Sequence, residues 1–252
     1  MNVPSLCQRP YIESIARRFG FDELKPMSNP MEPSTKLHSG QSPSTGAEYA
    51  AMRHVPYREA VGSLMYASLA THPDISYAVT TVSRFSNNPG MPHWEAVRRI
   101  YRYLLGMKDL RLTYGGAPSA LVGYADADGS MAEDRKAISG YAFLIDGGIV
   151  SWSSKKQEII SLSTMESEYV AATHAAKELY GCGRSSESCF RHSTNPPHCS
   201  LIISQLWRSQ RTISTTHIPS ISTSISISYA GSWKTERSAS SIALLLTWSP
   251  IP

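Results

Sequence analysis

The 252-residue sequence predicts an α/β chain with three parts. A helical segment occupies residues 8–110. A partial domain of three antiparallel strands and a helix follows at 119–180. A Ser-rich tail over 181–252 is expected to lie outside both as disordered chain. Three observations predict this. Apolar residues recur at helical spacing as far as about residue 105 and at strand spacing from Ala120 onward. A composition of 41% hydrophobic and 17% charged residues excludes a wholly disordered chain. The net charge of +4 is unevenly placed: residues 1–178 balance at 18 basic and 18 acidic, whereas 179–252 hold six basic, two acidic and no Asp.

The longest apolar run, Ile242–Leu246, is far shorter than the roughly 20 residues a membrane span needs. Met1–Arg18 lacks the apolar core of a signal peptide. The four cysteines, at 7, 182, 189 and 199, form no CxxC pair, so neither a zinc site nor a disulfide framework is expected. A reducing intracellular setting, cytoplasmic or nuclear, is the expectation.

Along the helical segment, Tyr11, Ile12, Ile15, Ala16 and Phe19 predict a helix over 10–20. From Lys25 to Arg53, with Pro26, Pro30, Pro33 and Pro43, the chain reads as loop. Three apolar stripes then predict three helices that bury a common core. The first is Tyr57, Val61, Leu64, Met65 and Leu69; the second is Ile75, Ala78, Val79, Val82 and Phe85. The third is Trp94, Val97, Tyr101, Leu104 and Leu105, and the same helix carries Arg98, Arg99 and Arg102. On spacing alone those arginines fit either a solvated face or one that contacts nucleic-acid phosphates.

After Gly115-Gly116 the period changes from helix to strand. Ala120–Asp126 alternates, Ile138–Ile145 forms a second strand, Gly147-Gly148 is expected as the hairpin turn, and Ile149–Ser153 forms a third. Ser163 or Thr164 can cap a helix over 165–178, with Glu166 and Glu168 in its first turns. Ala171, Ala172 and Ala175 leave that helix a smooth face for a sheet. Asp126 and Asp128 share one strand face. Glu166 and Glu168 lie about 200° apart around the helix, so only one can face the strand end. An Asp at a strand end opposite a Glu from a crossing helix supplies oxygen ligands suited to Mg²⁺. The same residues also fit plainer roles, as turn formers and dipole partners.

Ordered motifs carry a resemblance. Tyr57-Arg-Glu-Ala-Val-Gly-Ser-Leu-Met-Tyr66, Thr71-His-Pro-Asp-Ile75 and His93-Trp-Glu-Ala-Val97 resemble copia-type retrotransposon polyproteins. So do Gly123-Tyr-Ala-Asp-Ala-Asp128, Ser139-Gly-Tyr141, Ser151-Trp-Ser-Ser-Lys-Lys156 and Ser163-Thr-Met-Glu-Ser-Glu-Tyr169. The resemblance covers about residues 8–178. It implies that 8–110 is a reverse transcriptase thumb or connection segment, and that 119–180 is the first half of a ribonuclease H domain. It implies Mg²⁺ as cofactor, Asp126 and Glu168 as catalytic carboxylates and metal ligands, and Asp128 as an auxiliary. It further implies Arg98, Arg99, Arg102, Lys155 and Lys156 as nucleic-acid contacts, and an RNA–DNA hybrid or other nucleic acid as partner. Ancestral contact with a reverse transcriptase palm is also implied, although the palm's Tyr-X-Asp-Asp motif is absent here.

The family pattern stops after Glu178. The family's third catalytic Asp, in a Ser-Asp-Asn-Lys-Ser motif, has no counterpart in the tail. Codons for Ser200-Leu-Ile-Ile-Ser-Gln-Leu206, read from their third bases, can encode Ser-Asp-Asn-Lys-Ser-Ile. The tail therefore reads as a frame-shifted translation. The expectation is a polyprotein fragment with little or no hybrid hydrolysis. The alternatives are a non-catalytic nucleic-acid-binding remnant and a host-adopted interaction protein.

Overall fold

The computed structural model describes residues 3–32, 34–115, 121–128, 136–189, 199–203 and 224–227. The chain divides into two compact units, Met1–Thr113 and Tyr114–Pro252. Among the described residues no helix is long and apolar enough to cross a membrane.

The first unit is helical. It contains α1 (Arg9–Arg18), α2 (Gly46–Met52), α3 (Tyr57–Ala70), α4 (Ser76–Ser83) and α5 (Met91–Met107). Its short strands β1 (Ser5–Leu6) and β2 (Leu112–Thr113) pair antiparallel. Pro10 sits in the first turn of α1, where its missing N–H is not needed, and Arg17 and Arg18 in the last turn complement the helix dipole. Ile12, Ile15, Tyr57, Leu64, Ile75, Val82, Val97, Ile100, Tyr101 and Leu104 form the core. Two of its buried phenols are satisfied by backbone carbonyls: Tyr57 Oη donates to the Val82 carbonyl at 2.8 Å and Tyr101 Oη to the Ala60 carbonyl at 3.0 Å.

Three expectations for this unit change. Residues 25–53 are not all loop: α2 is started by a capping box, in which Thr45 Oγ1 accepts from Glu48 N–H and the Glu48 carboxylate accepts from Thr45 N–H. None of its residues is buried, so it has no apolar stripe to read. Met65 and Leu69 fall outside the core at 45% and 74% exposure; small Ala60 and Ala67 fill the buried line of α3 instead. Pro73–Ile75 forms a separate 3-10 turn, and α4 starts only at Ser76.

The second unit is a five-stranded sheet with one long helix, α6 (Thr164–Cys189). Its strands are β3 (Leu121–Asp128), β4 (Ile138–Ile145), β5 (Gly148–Lys156), β6 (Cys199–Ile203) and β7 (Ser224–Ile227). The order is β5-β4-β3-β6-β7, with β6 parallel to β3 and the other neighbours antiparallel. Alternation along β3 buries Leu121, Gly123, Ala125 and Ala127 and exposes Tyr124, Asp126 and Asp128. Leu121, Ala125 and Phe143 meet Ala175 and Leu179 of α6 in the core of this unit. The β4–β5 turn is Asp146-Gly147 rather than Gly147-Gly148. Both residues have positive φ, 51° and 76°, as a two-residue hairpin turn of the primed type requires.

The tail departs most from expectation. The helix continues to Cys189, and two strands from beyond it, β6 and β7, extend the sheet past three strands. The β3 edge on that side is paired, not open. The pattern was present in the sequence: Cys-Ser-Leu-Ile-Ile ends on β-branched residues, and Ser224-Ile-Ser-Ile227 alternates with a period of two. The remainder of the expected disordered tail lies outside the described residues.

Candidate functional site

Asp126 leaves β3 on its exposed face, one residue from Ala127. The β3–β6 pairing ends with Ala125 opposite Ile203, so the last residues of β3 have no further described strand partner on that side. Glu168 arrives there from α6. Its neighbours Ala171 and Ala175 are buried against the sheet, which lets the helix lie close. Glu168 itself is only 3% exposed, and its Oε2 has no hydrogen-bond partner among the described residues. Burial pushes its carboxyl up to about 7; the neighbouring charge of Asp126 and a hydrogen bond with the Asp126 side chain add to the rise, while the Ala127 backbone N–H opposes it. The structure therefore brings the Asp126 and Glu168 side chains together, and the proximity of Asp126 adds to the rise of the Glu168 carboxyl.

Glu166 is used elsewhere. It completes the N-terminal cap of α6: its carboxylate accepts from Leu162 N–H at 2.6 Å, and Ser163 Oγ accepts from Glu166 N–H at 3.1 Å. Asp128 ends β3 on the same face as Asp126, opposite Ile138, which in turn stands opposite Lys156. Lys155 projects into solvent and pairs with Glu158 at 3.3 Å.

A divalent cation suits the Asp126–Glu168 pair on two grounds. An unpartnered carboxylate oxygen is held in a buried position, and two hard oxygen donors converge at a strand end. No group of three or more His, Cys, Asp or Glu side chains able to hold a metal occurs among the described residues. The strand beside β3 reads Cys-Ser-Leu-Ile-Ile and supplies no carboxylate.

The three arginines of α5 fasten the 25–32 segment or its own helix. Arg99 Nη1 pairs with Glu32 at 2.6 Å, and its other guanidinium nitrogens bind the carbonyl and side-chain oxygens of Asn29. Arg102 Nε donates to the Lys25 carbonyl at 2.7 Å, and Arg98 pairs with Glu95 one turn back at 2.7 Å. A second polar cluster lies in the first unit. His72 Nδ1 stands 3.3 Å from Asp74 Oδ1, and Tyr103 Oη donates to Asp74 Oδ2 at 2.7 Å. Burial raises the Asp74 carboxyl, but the hydrogen bonds from His72 and Tyr103 outweigh it and hold the group below its ordinary value.

Sequence reasoning did not single out Gln157, which is buried between β4 and the start of α6. A buried glutamine has no sequence period to announce it; only its place directly after Lys155-Lys156 points to it.

Comparison with known proteins fits these parts together. The chain is 49% identical over 177 residues to the Retrovirus-related Pol polyprotein from transposon TNT 1-94 of Nicotiana tabacum, a match covering 69% of this chain. It is 36% identical over 179 residues to the corresponding polyprotein from transposon RE2 of Arabidopsis thaliana, again over 69% of this chain. The chain belongs to the copia-type retrotransposon polyproteins. It is a fragment by comparison with them, spanning 13% of the first relative and 12% of the second. It is also 44% identical over 129 residues to Secreted RxLR effector protein 161 of Plasmopara viticola, covering 91% of that protein and 50% of this chain. No family model matches the chain, and no solved structure matches it.

Proposed function

We infer that residues 121–189 carry two of the acids of a ribonuclease H-like site for an RNA–DNA hybrid, and that the site in this chain holds a divalent cation without efficient cleavage. The observation that supports this is the buried, unpartnered Oε2 of Glu168 beside Asp126 at the end of β3. A bound Mg²⁺ would neutralise charge at the scissile phosphate and activate water. The protein's part is to present Asp126 and Glu168 as oxygen donors, Asp126 from the solvent side and Glu168 from beneath. Glu168 releases its proton when a cation arrives, since a positive charge favours the ionised carboxylate. Hydrolysis with two ions needs further carboxylates at fixed positions. β6, the neighbour of β3, has none to offer, and no Asp occurs after Asp146.

The test is to titrate the full chain with Mn²⁺ and to incubate it with a labelled hybrid in Mg²⁺ or Mn²⁺. The expected result is cation binding that Asp126→Asn or Glu168→Gln removes, with cleavage near background. Robust cleavage abolished by either substitution would overturn the claim of inactivity. Cation binding that survives both substitutions would overturn the site.

A further inference from the structure

We propose that Gln157 is a positioning residue for the acidic pair: its one side-chain amide fixes the strand beside Asp126 and the helix turn beside Glu168 to each other. This rests on the reading of Asp126 and Glu168 as a cation site.

Gln157 is 2% exposed, and both polar atoms of its side chain are engaged. Its backbone N–H donates to the Ala137 carbonyl at 2.8 Å. Its Nε2 donates to Ser139 Oγ and to the Ser167 carbonyl, both at 2.8 Å. Its Oε1 accepts from Ser161 Oγ at 3.0 Å. The partners sit where the site needs them. Ser139 stands directly opposite Ala127, the residue after Asp126, in the β3–β4 register. Ser167 is the residue before Glu168. A rigid planar group thus links a side chain of β4, the strand paired with the Asp126 strand, to the backbone of the helix turn that carries Glu168.

The chemistry favours an amide. The Ser167 carbonyl can only accept, so it needs a donor at Nε2, and Oε1 must accept from Ser161. A carboxylate at 157 would set oxygen against the Ser167 carbonyl. An apolar side chain of equal length would fill the space but orient nothing. Ser139 and Ser167 are themselves buried, at 4% and 2% exposure, so the bonds are made away from competing water. Side chains that hold ligands in place in this way typically change metal affinity when replaced.

The experiment uses the full chain with Gln157→Met, which keeps the length and removes the three side-chain bonds, and Ser161→Ala, which removes one. Mn²⁺ affinity is measured by electron paramagnetic resonance. Amide hydrogen exchange of Ser167 and Glu168 is measured without metal. Gln157→Met is expected to weaken Mn²⁺ binding about 10–100-fold. It should also speed exchange at Ser167 and Glu168 while Ala171–Ala175 keep their protection, and Ser161→Ala should give a smaller change of the same kind. A folded Gln157→Met protein with unchanged Mn²⁺ affinity and unchanged exchange at 167–168 would overturn the proposal. If Gln157→Met does not fold, Ser139→Ala and Ser161→Ala decide it by the same readouts. Wild-type protein that fails to bind Mn²⁺ would sink the cation reading instead, and the exchange pattern would still decide the role of Gln157.

Discussion

Replacing Glu168 by Gln should stabilise the metal-free second unit at high pH and leave it nearly unchanged at low pH. In the folded chain the Glu168 carboxyl is raised from 4.5 to about 7, first by burial and then by the charge of Asp126. The folded state therefore holds this proton more tightly than the unfolded chain does. Below about pH 4.5 both states are protonated and nothing is lost. Between about 4.5 and 7 the unfolded chain has released its proton while the folded one retains it, so stability falls as pH rises. Above about 7 the whole penalty is present, a difference of roughly 3 kcal/mol at about 1.4 kcal/mol for each unit. Glutamine imitates the protonated acid: its oxygen can accept from Ala127 N–H and its amide can donate to Asp126. Urea unfolding in a chelator, followed through the amide resonances of β3 and β4, gives the free energy at pH 5 and pH 8. The expected gain of Glu168→Gln over wild type is under about 1 kcal/mol at pH 5 and approaches about 3 kcal/mol at pH 8. Saturating Mg²⁺ should shrink the pH 8 difference, because a cation stabilises the ionised acid that Gln lacks. An equal gain at both pH values, or no gain at pH 8, would refute the argument.

Tyr103→Phe should cost about 1–2 kcal/mol by removing a hydrogen bond to a charged group, read by urea unfolding of α5 resonances. Because Asp74 is held below its ordinary value, its contribution should be present at neutral pH and vanish as the group protonates in acid, so the cost of Tyr103→Phe should fade there. Truncation after Cys189 should strip β6 from β3 and leave an open central strand edge; lower thermal stability and concentration-dependent aggregation are expected, and an unchanged melting curve would show that β6 contributes nothing. Arg99→Ala should release the 25–32 segment, seen as faster amide exchange at residues 27–32. Coding DNA across codons 175–255, read from the third base of each codon, should yield the Ser-Asp-Asn-Lys-Ser motif; an early stop in that frame would end the frame-shift explanation.

Local pattern carried much of this protein. The helical stripes around Val61, Val79 and Val97 mark sides of helices that are buried in the core. The alternation from Leu121 to Asp128 set both acids on one strand face. The angle between Glu166 and Glu168 already meant that only one of them could face the strand end. These features are legible because they depend on residues a few positions apart. Tertiary structure alone decided the rest, because it depends on what stands opposite. Met65 and Leu69 share the helical spacing of Leu64, yet no element packs over them closely enough to bury them. The α5 arginines look like a free cationic face until Asn29, Glu32 and the Lys25 carbonyl come to meet them from some 70 residues away. The Ser–Ile alternation at 224–227 is too short to stand as a strand in isolation, and becomes one beside β6, which in turn pairs with β3. Gln157 gains its role from Ser139, Ser161 and Ser167 closing around it. Periodicity states which side of an element avoids water; register and partner choice are long-range, and only the folded chain supplies them.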